Sequence, residues 1–345
     1  MSKLEEALNV VKNCSKDGFY ASSDVYKYEY WTRDLSFFLP VLIKYGYKKE
    51  VENQILNIFK KQKSGGELPV FYVKEKFLWL KSLFSTGRIK PRKNHLFGIG
   101  FIFSSIFDTV DSTISGIISF YDYVKETNSI TLKRKYDENI RKAYAYIEKR
   151  IDDNFLVGND WKDLMLELRN KKLIANQCLL YRAYRLSGMK EKAEKLKKYI
   201  NTIFWNGEYY NSTTDSRDID VFGNSLAVLF GIADEYEYNS IKGTILSASS
   251  QYGIRNIIFK HKINIEKLRV DSCDQYGTIW PFVSYSAISA LIKMGYREEA
   301  EKEFNKLERL KGFNEFYSLE GFPKGSKEQL WSACAYISAY EALKN

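Results

Sequence analysis

The chain has 345 residues, 45% of them hydrophobic and 28% charged, with a formal net charge of +10; this fits a soluble globular protein long enough for one large domain or two ordinary ones. The surplus of Lys is interleaved with acids, as in KKEVENQILNIFKKQK, so it reads as solvated helix faces, and with no basic block or binding motif nucleic acid is not the expected partner. Four cysteines without a CxxC pair and two distant histidines suggest no disulfide framework, no histidine-based metal site and no cofactor.

The N-terminal stretch MSKLEEALNVVKNCS is amphipathic and charged, unlike a signal peptide. The longest apolar runs, such as LFGIGFIF, are too short to span a bilayer. A cytoplasmic protein with reduced, mostly buried thiols is the expectation. Hydrophobic periodicity then predicts twelve helices, at 3–14, 34–46, 48–62, 112–127, 131–150, 173–187, 190–204, 219–231, 236–248, 281–294, 296–310 and 327–343. Short strands are expected near 67–73 and 254–260.

Taken in consecutive pairs, these helices alternate in character. First members are charged (SITLKRKYDENIRKAYAYIEKR, MKEKAEKLKKYI, REEAEKEFNKLERL), and second members are apolar and rich in small residues (DSTISGIISFYDYV, LIANQCLLYRAYRL, FVSYSAISALIKM, LWSACAYISAYEAL). A helix with one apolar stripe lies at the surface, and one that is apolar nearly all round is buried. Six outer–inner pairs predict an all-α (α/α)6 toroid occupying residues 1–345 as a single domain. A two-domain split and an α-solenoid stay open at this point.

Acids and aromatic residues recur where each first helix hands over to its second. Trp31, Arg33 and Asp34 stand in pair one, and Asp108 and Asp111 in pair two. Asp160, Trp161 and Asp163 stand in pair three, and Asp215, Arg217 and Asp218 in pair four. Pair five has Asp271, Asp274 and Trp280, and pair six Glu315, Glu320 and Lys324. In an up-down ring all six connections lie at one end, where they would bring acids, indoles and a few cations to one pocket suited to a polyol. Each residue also has a plain structural reading. Asp34, Asp111 and Asp218 can be helix N-caps, and Trp280-Pro281 an ordinary helix start. The opposite connections, such as YGYKKE and LSGMKE, lack the theme and read as turns.

These motifs resemble a known family. YEYWTRDLSFFLPVLIKYG is similar to the segment that opens the catalytic domain of glucoamylases, and DSTISGIISFYDYVKETN to the Asp-Ser inner helix of neutral and alkaline invertases. CDQYGTIWPFVSYSAISALIKMGYREEAEK resembles the Gly-x-x-Trp-Pro segment of these enzymes and of glycogen-debranching glucosidases. NEFYSLEGFPKGSKEQLWSACAYISAYEAL resembles the segment carrying their catalytic base.

The resemblance to six-hairpin glycosidases implies hydrolysis of an α-glucoside with inversion, by two carboxyl groups and without a metal. It aligns Asp163 of Trp161-Lys162-Asp163 with the general acid, Asp160 being the rival, and Glu315 with the general base. Arg33 and Asp34 align with the pair that grips sugar hydroxyls; Trp31, Asp111, Trp161, Asp274 and Trp280 would line the same subsite. The segment after the acid, RNKKLIANQ, departs from the family's Gly, Pro or His and carboxylate. Inversion sets the two carboxyls about 6.5–9.5 Å apart, leaving room for a water, and apolar cover from Trp161 is expected to help Asp163 keep its proton. A sucrose-cleaving invertase, a disaccharide phosphorylase on the same ring and a sugar-binding protein without turnover are the alternatives.

Overall fold

The structure, a computed structural model, describes residues 2–74, 109–163, 165–260 and 276–344. Asp274 lies outside them, as do Asp108, Asp271, Cys273, His95 and His261. Thirteen α-helices fall among the described residues: α1 (Lys3–Cys14), α2 (Thr32–Lys44), α3 (Lys48–Lys60), α4 (Asp111–Thr127), α5 (Ile130–Lys135), α6 (Asp137–Glu148), α7 (Ile174–Ser187), α8 (Lys190–Ile203), α9 (Val221–Leu229), α10 (Tyr238–Ser247), α11 (Pro281–Lys293), α12 (Arg297–Leu307) and α13 (Leu330–Lys344). None of them is long and apolar enough to cross a membrane.

The two polarity classes sort as physics requires. On α8 only Ala193, Leu196 and Ile200 are buried, one stripe of a Lys- and Glu-rich helix. On α4 every residue from Asp111 to Phe120 is buried, so no face is left for water. The buried class contacts itself in chain order, α2 with α4, then α7, α9, α11 and α13, and α13 packs back on α2. Each of these carries an amphipathic neighbour: α3 on α2, α6 on α4, α8 on α7, α10 on α9, α12 on α11 and α1 on α13.

Two departures from the expected helices have local causes. The helix expected at 131–150 breaks at Tyr136, whose φ of −105° leaves the helical region and whose ring packs against Phe59 and Phe120. The last helix starts at Leu330 rather than 327, because the residues before it are drawn into backbone pairing: Gln329 N–H donates to Phe313 and Leu330 N–H to Ala21.

Short strands lie in the connections: β1 (Tyr30–Trp31), β2 (Phe71–Tyr72), β3 (Ile151–Asp152), β4 (Phe155–Leu156), β5 (Asn211–Thr213), β6 (Ser216–Asp220), β7 (Ile257–Ile258), β8 (Phe316–Tyr317) and β9 (Pro323–Lys324). β2 and β7 fall where strands were expected. The hairpins β3–β4, β5–β6 and β8–β9 have arms of two to five residues and were not expected from the sequence.

Backbone pairing joins each of the six connections to the next. Tyr30 pairs with Tyr72, Thr109 with Asn159, Leu173 with Thr213, Asp220 with Ile257, Ile279 with Tyr317, and Gln329 with Ser22. The belt closes on itself, and it gathers the acid-bearing connections at one end of the helices. The other end has turns of a few residues, closed where Asn128 and Gly188 take left-handed C-cap conformations.

Candidate active site

The site is built outward from Arg33. Strand β1 passes directly into α2, so Arg33 and Asp34 occupy the first turn of that helix with their side chains buried. Arg33 bonds Asp111, the first residue of α4, at 3.0 Å, and faces Asp163 of connection three more loosely at 3.9 Å. Its guanidinium also lies 5.0 Å from the ring centre of Trp31. That indole is stacked on Phe71 and donates to Glu29 at 2.8 Å. Burial works against the charge on Arg33, but Asp111, Asp163, Asp34 and Asp160 more than offset it.

Asp34 is in a different condition. It is 2% exposed, and neither carboxyl oxygen has a hydrogen-bond partner among the described residues. Burial pushes its pKa up to about 7; Arg33 pulls it down, and the charges of Glu315 and Asp111 push it further up. Burial likewise raises Asp111, with Arg33 opposing.

Capping does not account for these acids. The N-caps of α2 and α4 are Trp31 and Val110, without a side-chain capping bond. In connection four the cap is Asp220, which accepts from Gly223 N–H at 3.2 Å. Asp218 instead accepts from Ser216 Oγ and Lys260 N–H. At α11 the ordinary reading does hold, since Trp280 is the N-cap and Pro281 opens the helix.

Asp160 has a separate fate. Lys162, 2% exposed, reaches it at 2.5 Å and Asp220 at 3.0 Å, while Lys162 N–H donates to the other oxygen of Asp160 at 2.8 Å. The neighbouring acids outweigh burial and raise the Lys162 pKa. Asp160 therefore serves the tie that Lys162 makes from connection three to Asp220 of connection four. With both oxygens engaged and 1% exposure it is not presented to a ligand.

Glu315 stands just before β8. Tyr26 Oη donates to its Oε1 at 3.0 Å and Ser326 N–H to its Oε2 at 3.1 Å. Its own N–H bonds the Ser326 carbonyl at 2.9 Å. A donor on each carboxyl oxygen suits a carboxylate.

A run of rings links the two loops. Trp161 lies 5.0 Å from Trp280 and 4.8 Å from Phe282, and Trp280 is stacked on Phe316 at 4.9 Å. Trp161 and Trp280 are each 4% exposed, so the indoles beside the acids are mainly packing surface.

Three carboxyls, Asp111, Asp163 and Glu315, thus act on the Arg33–Asp34 dipeptide from connections two, three and six, and Asp34 itself makes a fourth. Others named from the sequence lie elsewhere: Asp215 pairs with Lys171, and Arg217, Glu320 and Lys324 are exposed. A surface hollow of about 400 Å³, lined by Asn206, Gly207, Glu208, Tyr209 and Arg217, contains none of the four. Sequence reading missed Tyr26, although it opens the aromatic run YKYEYW, and treated Lys162 only as the spacer of Trp-x-Asp. The Ser326 amide leaves no trace in a sequence.

No protein-family model and no curated protein matches the chain. Solved structures do. A glycosidase point variant in complex with glucose aligns with a TM-score of 0.69 at 12% identity, over 99% of this chain and 96% of that one. A GH63 mannosylglycerate hydrolase from Thermus thermophilus, in complex with Tris and D-glycerate, aligns at 0.66 and 11% over 97% and 99%. A rhamnosidase from Klebsiella oxytoca with rhamnose bound aligns at 0.65 and 14%, over 98% of this chain and 64% of that one. These neighbours are six-hairpin glycosidases, and at such identities what the chain shares with them is the fold.

Proposed function

We propose that the protein is an inverting glycoside hydrolase built on an (α/α)6 toroid, with Asp163 as general acid and Glu315 as general base. The closed order of contacts from α2 through α13 and back supports the toroid. One observation carries the chemistry: Asp163 and Glu315 come from connections three and six, yet both act on the same Arg33–Asp34 dipeptide. Asp111 takes the close position on Arg33, leaving Asp163 as its looser partner. Asp163 gives its proton to the glycosidic oxygen. Glu315, held by Tyr26 and Ser326, takes a proton from water on the other face of the ring. The engagement of Asp160 with Lys162 favours Asp163 over it as the acid.

Our reading of the substrate is an α-glucoside, in keeping with the sequence resemblance and with the glucose complex among the structural neighbours. The mannosylglycerate hydrolase puts glycosides of small acids on the test panel as well. Purified protein assayed against α- and β-linked oligosaccharides, with the first-formed anomer followed by NMR, is expected to release a sugar of inverted configuration. Asp163→Asn and Glu315→Gln should each lower kcat by about 10²–10⁴-fold. Full activity in both variants on a confirmed substrate would overturn the assignment, and binding without turnover by the unaltered protein would leave a sugar-binding protein.

A further inference from the structure

The hairpin beyond Glu315 returns to it. β8 and β9 pair Phe316 with Lys324, and Gly325 follows, at a φ of +68°. The Glu315 side chain folds into the space beside the Gly325 Cα. A Cβ placed on Gly325 would stand 2.6 Å from the Cβ of Glu315 and 3.0 Å from its carboxyl carbon, and it would run into Oε2, the oxygen that accepts from Ser326 N–H. The clash cannot be relieved by one soft rotation, because the side-chain atom nearest the backbone is involved. The neighbouring backbone is also pinned: Tyr317 Oη accepts from Asn314 N–H, and Ser332 Oγ donates to the Asn314 carbonyl.

We propose that Gly325 is a positioning residue. The missing side chain at this point lets the Glu315 carboxylate lie on the Ser326 amide, and so fixes where the base points. The catalytic meaning rests on the hydrolase reading above; the contact itself does not. Two requirements coincide at Gly325, a left-handed backbone that favours glycine and a volume already occupied by Glu315. Gly188 provides the matched control, with a φ of +83° and no atom within 4 Å of the place a Cβ would take.

The test is a cycle over Gly325→Ala, Glu315→Gly and the double variant, with Gly188→Ala alongside. Thermal unfolding reads the contact without reference to catalysis. Gly325→Ala is expected to lower Tm clearly more than Gly188→Ala does, and in the Glu315→Gly background that excess is expected to vanish. Equal losses in both backgrounds would overturn the proposal. Should Gly325→Ala alone fail to fold, recovery of folding in the double variant supports it, and no recovery overturns it. Kinetics reads the role: on the substrate found in the panel, Gly325→Ala is expected to lower kcat by about 10²-fold, as a base displaced by about 1 Å should, with KM little changed. A change in KM alone would overturn the positioning role. Retained turnover in Asp163→Asn and Glu315→Gln would instead remove the hydrolase reading, whatever the unfolding cycle gives.

Discussion

Two buried clusters of charge stand side by side at the laced end of the molecule, and they are built differently. Around Lys162 one ammonium sits between two carboxylates, Asp160 and Asp220, all three 1–2% exposed and hydrogen-bonded. Around Arg33 one guanidinium faces three acids, Asp34, Asp111 and Asp163, with Glu315 near enough for its charge to act on Asp34. Of these, Asp111 bonds Arg33 at 3.0 Å and Asp163 stands at 3.9 Å, and neither carboxyl oxygen of Asp34 has a hydrogen-bond partner among the described residues. The first arrangement serves folding by joining two connections. The second holds more carboxyl than its cation satisfies, which the fold alone does not need. Groups left costly in this way are enriched at functional sites, which is in keeping with the function proposed above.

The largest effect expected from this contrast is at Lys162. Lys162→Met should leave Asp160 and Asp220 buried and uncompensated, a loss on the order of 3–5 kcal/mol. Urea unfolding measures it, and a loss below about 1 kcal/mol, as for an exposed pair, would show that the Lys162 cluster is not the closed unit described.

Asp34→Asn should act in the opposite direction. The ordinary carboxyl value is 3.8 and the folded value is about 7, so between them the folded protein holds a proton that the unfolded chain has released. Stability contributed by this group therefore falls as pH rises from about 4 to about 7 and stays lowered above that. The variant removes the liability. It should be more stable than the unaltered protein at pH 8, by something on the order of 2–4 kcal/mol at about 1.4 kcal/mol per pH unit, and the advantage should fade toward pH 4. Turnover should fall with the gain in stability, the usual exchange at a strained site. A stability difference that does not change between pH 5 and pH 8 would contradict the account of Asp34.

The contrast also shows what a linear reading can and cannot recover. Helix order, the alternation of polar and buried helices and the gathering of acids at one end follow from periodicity, which is local. Asp34, Asp111, Asp163 and Glu315 were all named because acids recur where one helix hands over to the next, and Asp163 and Glu315 took their roles from the family resemblance. The capture of Asp160 was not legible, because the lysine that holds it is itself held by Asp220, which reaches the same ammonium from 58 positions along the chain. Tyr136 breaks a helix that its charged neighbours would continue, for the sake of ring contacts with Phe59 and Phe120. Strands of two residues are too short to show an alternation; β2 and β7 fall where strands were expected, but the pairing that laces the connections into a belt was invisible, and with it the Ser326 amide that meets Glu315.

The smallest expected effect tests whether the Arg33 cluster behaves as one unit. Asp111 takes the closest place on Arg33, and its charge is one of those that push Asp34 up. Asp111→Asn removes that repulsion and frees part of the guanidinium's attraction for Asp34 and Asp163. Both changes favour the ionised form of Asp34, so its pKa should move down from about 7, by about one unit. The advantage of Asp34→Asn at pH 8 should then shrink by about 1 kcal/mol in the Asp111→Asn background. Thermal unfolding of the four proteins at pH 8 supplies the comparison. If the two substitutions add without interaction, then Asp34 owes its condition to burial alone, and the cluster is a set of neighbours and not a shared charge.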